Sequence, residues 1–195
     1  MPEAPRPPLL LRPASLWIGF FWGLAEATLF FVVPDVWLTL VAVFSVKQSG
    51  KVLIAILLGA MVGGSFMYFW GESQPAQATA AVLHVPFVPQ KMFSKTHQDL
   101  ENYGLWALVK GPASGIPYKL YALQAGRYAR LLPFLLVTIV ARVERFALFW
   151  LVACAVGLNF RKSIERRPGV TKTVHACIWV AGYAWYWIKI AHNAP

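Results

Sequence analysis

The chain has 195 residues, 58% of them hydrophobic and 13% charged, with 9 tryptophans and a formal net charge of +10. A soluble domain carries about 25% charged residues, so roughly half that share excludes an ordinary globular protein in water and points to lipid. The basic excess does not describe a nucleic-acid binder, because Lys and Arg fall in short clusters between apolar runs, the pattern of loops facing an anionic leaflet.

Residues 1–13, MPEAPRPPLLLRP, are rich in proline and read as a flexible or interfacial lead-in. The apolar run at 14–46 comes next, and as a single helix its 33 residues would measure about 50 Å against a hydrocarbon core of about 30 Å. Two full spans would need about 20 residues each plus a turn, so the run is too short for them. A re-entrant hairpin fits: two half-length helices broken near Pro34 and Asp35, where Val33 is biased away from helix and Pro34 has no N–H to donate. Cleavage of a leader at Ala25-Glu26-Ala27 is disfavoured, because the apolar run continues well past it.

Lys47 to Lys51 reads as a short basic loop, followed at 52–70 by an uncharged transmembrane helix. Gly59 and Gly63 in it have the G-x-x-x-G spacing that lets another helix come close. Residues 71–103 hold Pro75, Pro86, Pro89 and both signs of charge, and read as a polar connection with an amphipathic helix near 90–100. The stretch 104–126 repeats the hairpin pattern, with an apolar half, a break at 111–117 containing Gly115 and Pro117, and a second apolar half; a surface loop is the alternative reading. A transmembrane helix at 131–158 continues through Arg142, Glu144 and Arg145, where no Gly, Pro or Asn interrupts it. A basic loop at 161–172 leads to a last transmembrane helix at 174–191, crowded with Trp179, Trp185, Tyr186 and Trp187 as an aromatic belt.

The predicted fold is therefore an all-α integral membrane protein of two repeats, each a re-entrant helical hairpin followed by a transmembrane helix, plus a C-terminal transmembrane helix. Each hairpin returns to its own side, so an odd number of crossings separates the repeats and they are inverted, as in secondary transporters. Arg6, Arg12, Lys47, Lys51 and the cluster from Arg161 to Lys172 lie on one side, outnumbering Lys91, Lys95, Arg127, Arg130 and Lys189 on the other. That asymmetry puts the N-terminus in the cytoplasm and the protein in the bacterial cytoplasmic membrane, and the composition admits a homo-oligomer.

The ionisable residues at depth form the candidate site: Glu26 and Asp35 from hairpin one, Lys119 from hairpin two, and Arg142 and Arg145 from the following span. A lone charge at the bilayer centre costs at least about 2.5 kcal/mol, so these groups should face one another or water. Positions 142 and 145 share a helix face, and arginine's planar donors match phosphate. Carboxylates held at such depth can exchange protons in the physiological range. The pattern suggests proton-linked handling of an anionic headgroup; the plainer alternative makes the same charges an ion-paired clasp between the two halves. Glu144 points elsewhere on the helix and is secondary. Cys154 and Cys177 sit in apolar runs, and His84, His97, His175 and His192 form no ligand constellation, so neither a metal nor another cofactor is expected. No Ser or Cys nucleophile stands beside a base, which leaves a hydrolytic enzyme the weakest reading.

These residues resemble the DedA superfamily of membrane proteins (the VTT-domain or SNARE-associated Golgi protein-like group), in particular its short bacterial branch. Glu26-Ala27-Thr28-Leu29-Phe30-Phe31-Val32-Val33-Pro34-Asp35 is similar to E-A-T-x-F-P-x-P-P-E. Gly115-Ile116-Pro117-Tyr118-Lys119, continuing to Ala125-Gly126, is similar to P-x-P-Y-K followed by A-G, and Arg142 to Phe146 is similar to R-x-x-R-F. The chain departs from the pattern at Phe31, Val33 and Gly115, where the family has proline, and at Asp35, where it has Glu. The resemblance implies two opposed re-entrant hairpins and translocation or scrambling of lipids, including undecaprenyl phosphate and phospholipids, tied to proton motive force. The family's membrane-embedded acids correspond to Glu26 and Asp35 and its arginines to Arg142 and Arg145; the combined expectation is Glu26 and Asp35 for proton coupling, Arg142, Arg145 and Lys119 for substrate, and Pro34, Gly115 and Pro117 as the hairpin breaks. A non-transporting membrane scaffold or envelope-maintenance factor is the alternative.

Overall fold

Helix dominates the residues that the computed structural model describes, 9–85, 88–111 and 115–193, and no strand occurs among them. A 3-10 turn at Leu9–Leu11 leads into α1 (Ala14–Ala27), α2 (Asp35–Phe44) and the long α3 (Val46–Ser73). Then come α4 (Pro75–Leu83), α5 (Gln90–Tyr103), a 3-10 turn at Gly104–Trp106 and the short α6 (Ala107–Lys110). The chain ends with α7 (Tyr118–Ala125), α8 (Leu131–Asn159), α9 (Arg161–Arg166) and α10 (Pro168–Asn193).

The helix ends correct several sequence expectations. Lys47 and Lys51 are not in a loop: they lie in the first turns of α3, which starts there because the Ser45 hydroxyl accepts the Gln48 amide at 3.2 Å. The expected basic loop at 161–172 is helical, as α9 and the first turn of α10, with Pro168 at a helix start where a missing N–H costs nothing. Pro34 does not stop a helix. The first helix has already ended at Ala27, and Pro34 begins the second from the N-cap, at φ −71° and ψ −8°. The break is thus the whole stretch 28–34. In the second hairpin the leading limb shrinks to α6, while Pro117 takes the N-cap of α7 and Gly115 sits at φ +82°, a conformation glycine adopts freely. Residues 112–114 of that break, Pro86 and residues 1–8 of the lead-in lie outside the described residues. The amphipathic helix expected near 90–100 is present as α5, and α8 runs unbroken through its three charges. The 71–103 segment is more than a polar connection, since Ala78, Val82, Thr96 and Leu100 are buried in it.

Close glycine contacts set the helix directions. On α1, Gly19 and Gly23 face Val52 and Ile56 of α3, and on α3, Gly59 and Gly63 face Phe20 and Leu24 of α1. Rising numbers meet rising numbers, so α1 and α3 run parallel and α2 is the return stroke between them. Tyr68 of α3 packs on Phe134 of α8 with ring centroids 5.3 Å apart, and Ser49 of α3 accepts from Trp150 of α8 at 2.8 Å, which makes that pair antiparallel. One core gathers Tyr68, Leu108, Tyr118, Tyr121 and Phe134; a second gathers Leu38, Val41, Val52, Ile56 and Phe146.

Large apolar side chains lie exposed along three helices while four charged ones are buried. Ile54, Leu58 and Phe66 of α3, Leu132, Leu136, Leu148 and Leu151 of α8, and Ile178, Val180 and Ile188 of α10 are exposed, whereas Glu26, Asp35, Lys119 and Arg142 are buried. Among the described residues α3 is the one helix long and apolar enough to cross a membrane. The equally long α8 carries Arg142, Glu144 and Arg145 at its centre.

Candidate functional site

The five charged residues expected at depth come from four helices: Glu26 from the last turn of α1, Asp35 from the first residue of α2, Lys119 from the first turn of α7, and Arg142 and Arg145 from one face of α8. They meet between the two apolar cores, at the level where both breaks lie. Asp35 is 0% exposed, Arg142 2%, Lys119 3% and Glu26 5%. Arg145 donates to Asp35 Oδ2 at 2.8 Å and stands 3.9 Å from Glu26 Oε1. Arg142 Nη1 lies 2.9 Å from Glu26 Oε2, a buried ion pair. Glu144 is exposed on the other side of the helix, as the spacing predicts.

The two breaks are joined through this cluster. Lys119 donates to the Phe30 carbonyl at 2.6 Å, tying the start of α7 to the first break. Several groups of the unwound backbone find partners: the Trp22 indole donates to the Val32 carbonyl at 2.9 Å, the Phe30 amide donates to the Ala25 carbonyl at 2.9 Å, and the Ile116 amide donates to Gly111 at 3.1 Å. Non-helical backbone away from water needs such partners.

Helix α10 supplies groups that sequence reasoning missed. The Val33 amide donates to the Tyr183 hydroxyl at 2.7 Å, and the Tyr186 hydroxyl donates to the Gly115 carbonyl at 3.3 Å, so one helix face holds both breaks. Trp179 donates to Thr39 Oγ1 at 3.2 Å, and His175 Nε2 lies 2.9 Å from the same oxygen. The aromatic belt is therefore a correction in part: Trp185 is exposed, but Trp179, Tyr183 and Tyr186 turn inward. Their i, i+4, i+7 spacing was the available signal. Tyr118 is the other omission: its ring centroid is 3.9 Å from the Arg142 guanidinium carbon.

Three cations against two carboxylates leave one positive charge uncompensated when both acids are ionised. Asp35 Oδ1, Glu26 Oε2 and the Arg142 Nε, Nη1 and Nη2 atoms are buried with no hydrogen-bond partner among the described residues. Buried guanidinium nitrogens, one of them facing Glu26, around a surplus cation suit an anion. No group of His, Cys, Asp and Glu among the described residues could hold a metal.

Comparison with known proteins adds little. No family model matches the chain, and no solved structure matches it. An uncharacterised protein of Haemophilus influenzae is 28% identical over 159 residues, covering 79% of this chain and 81% of the relative.

Proposed function

We propose that the chain is an integral protein of the bacterial cytoplasmic membrane, of DedA type, that translocates or scrambles an anionic phosphate-bearing lipid with proton coupling. Lipid is the solvent that makes sense of leucine, isoleucine and valine outside and five charged residues inside. In this reading α1–α2 and α6–α7 are opposed re-entrant hairpins and α3 and α8 the following spans. Asp35 meets Arg145 and Gly157 meets Val43, so α2 runs with α8, while Gly64 meets Tyr118 and Gly71 meets Leu123, so α7 runs with α3. Together with the antiparallel α3 and α8, those directions are what two inverted units require.

The observation that carries the proposal is Arg142: a buried guanidinium whose one close counter-charge is Glu26, in a cluster with surplus positive charge, where both breaks converge. Arg142, Arg145 and Lys119 would receive the phosphate, and Glu26 and Asp35, the carboxylates already pressed against the arginines, would carry the proton. The test is transfer of a fluorescent anionic lipid between leaflets of proteoliposomes, with and without a pH gradient. Wild type should accelerate transfer and Arg142→Ala with Arg145→Ala should abolish it while the protein stays folded; an unchanged rate in the double variant would remove the headgroup role.

One observation favours a scaffold of the same fold: Arg145 is spent on Asp35 and clasps α8 to α2. That reading gains if wild type moves no anionic lipid.

A further inference from the structure

The two arginines on one face of α8 are held in different ways. Arg145 commits its guanidinium edge to Asp35 at 2.8 Å. Arg142 is held by its face as well, with its carbon 3.9 Å from the Tyr118 ring centroid, while its Nη1 stands 2.9 Å from Glu26 Oε2. A ring against the face of a guanidinium stabilises the charge through its quadrupole and leaves the N–H edge to oxygens, here Glu26 at Nη1 and otherwise the headgroup.

Tyr118 is itself fixed from several directions. Its hydroxyl lies 3.0 Å from Thr138 Oγ1, one turn before Arg142 on the same helix. Its ring stacks on Phe134 with centroids 6.4 Å apart and an interplanar angle of 23°. On the α3 side Gly64 closes against the hydroxyl so tightly that a Cβ there would collide with it. We infer that Tyr118 is the positioning residue for the anion-binding arginine, and that Arg142, not Arg145, makes the primary contact with the headgroup. The inference rests on the anionic-lipid reading and divides its arginine pair into unequal roles: Arg145 holds the helices, and Arg142 is presented edge-on to the ligand.

The experiment uses the full chain in phosphatidylcholine vesicles with a fluorescent phosphatidic acid as probe, and separates the half-saturating probe fraction from the maximal rate. Tyr118→Leu should raise the half-saturating fraction about 10- to 30-fold, the size of a desolvated cation–π contact. Tyr118→Phe keeps the ring and should stay within about fivefold of wild type. Gly64→Ala, outside the cluster, should reproduce the Tyr118→Leu defect by displacing the hydroxyl, and adding Tyr118→Phe should reverse it, because the colliding atom is then gone. A purely structural role would lower thermal stability and maximal rate without that reversal.

Folded Tyr118→Leu with wild-type half-saturation overturns the positioning role, as does a Gly64→Ala defect that Tyr118→Phe does not relieve. If Tyr118→Leu fails to fold, the Gly64→Ala pair decides. Wild type that moves no probe overturns the lipid reading itself and this inference with it.

Discussion

Asp35 Oδ2 and Arg145 Nη2 lie 2.8 Å apart, joining the first residue of α2 to the middle of α8 across 110 residues of sequence. Asp35 is fully buried, so removing the arginine strands a carboxylate without its counter-charge. Arg145→Ala should cost about 3–5 kcal/mol, the range for breaking a buried pair from one side. Asp35→Asn added to it should recover part of the loss. Unfolding of the detergent-solubilised variants checks both, and additive losses would mean the two residues do not act as a pair.

Glu26 is the acid paired with Arg142, with its Oε2 2.9 Å from Arg142 Nη1. Glu26→Gln preserves shape but removes the exchangeable carboxyl proton. Transfer of an anionic lipid should then no longer respond to a pH gradient, while any exchange without a gradient persists. A full response to the gradient in this variant would assign coupling elsewhere.

Two glycines of α3 make opposite predictions. A Cβ at Gly59 would strike the Phe20 carbonyl of α1, whereas a Cβ at Gly50 meets nothing within 4 Å. Gly59→Ala should therefore destabilise by about 1–3 kcal/mol through overpacking against backbone. Gly50→Ala should stabilise by up to about 1 kcal/mol through helix propensity alone. Thermal unfolding of the two variants side by side tests the parallel α1–α3 packing.

The Tyr183 hydroxyl is the acceptor for the Val33 amide at 2.7 Å. Tyr183→Phe leaves that amide without a partner, a cost of about 1–3 kcal/mol. Hydrogen exchange of peptides covering 28–34 should quicken markedly, with α3 unaffected. Equal exchange in both proteins would show that α10 does not hold the first break.

Orientation can be read by cysteine labelling in intact cells. In a background with Cys154 and Cys177 replaced, Lys91→Cys on exposed α5 should react with an impermeant maleimide added outside, and Lys162→Cys on exposed α9 should react only after permeabilisation. The reverse pattern would invert the predicted cytoplasmic N-terminus.

Much of the helix order was legible in the sequence because it depends on local rules. Long apolar runs and the absence of Gly, Pro or Asn between Arg142 and Arg145 both act through neighbours in the chain. The errors were local too: Ser45 starts α3 before Lys47, and the first break opens at Thr28 rather than at Pro34. A cap or a turn bonded back onto its own helix, as Thr28 is onto Leu24 and Ala25 at 3.1 and 2.9 Å, leaves only a faint mark on hydropathy.

The five charged residues were also legible, since a charge amid apolar neighbours stands out whatever the fold. Their partners were not. That Arg145 is committed to Asp35 while Arg142 rests on Tyr118, and that Tyr183 and Tyr186 of α10 reach one break each, depends on contacts between segments far apart in the chain. Sequence by itself determined which groups had to be buried and therefore satisfied. Only the tertiary structure decided which partner satisfied each one, because pairing across the fold follows from helix direction and close packing, which no local pattern encodes.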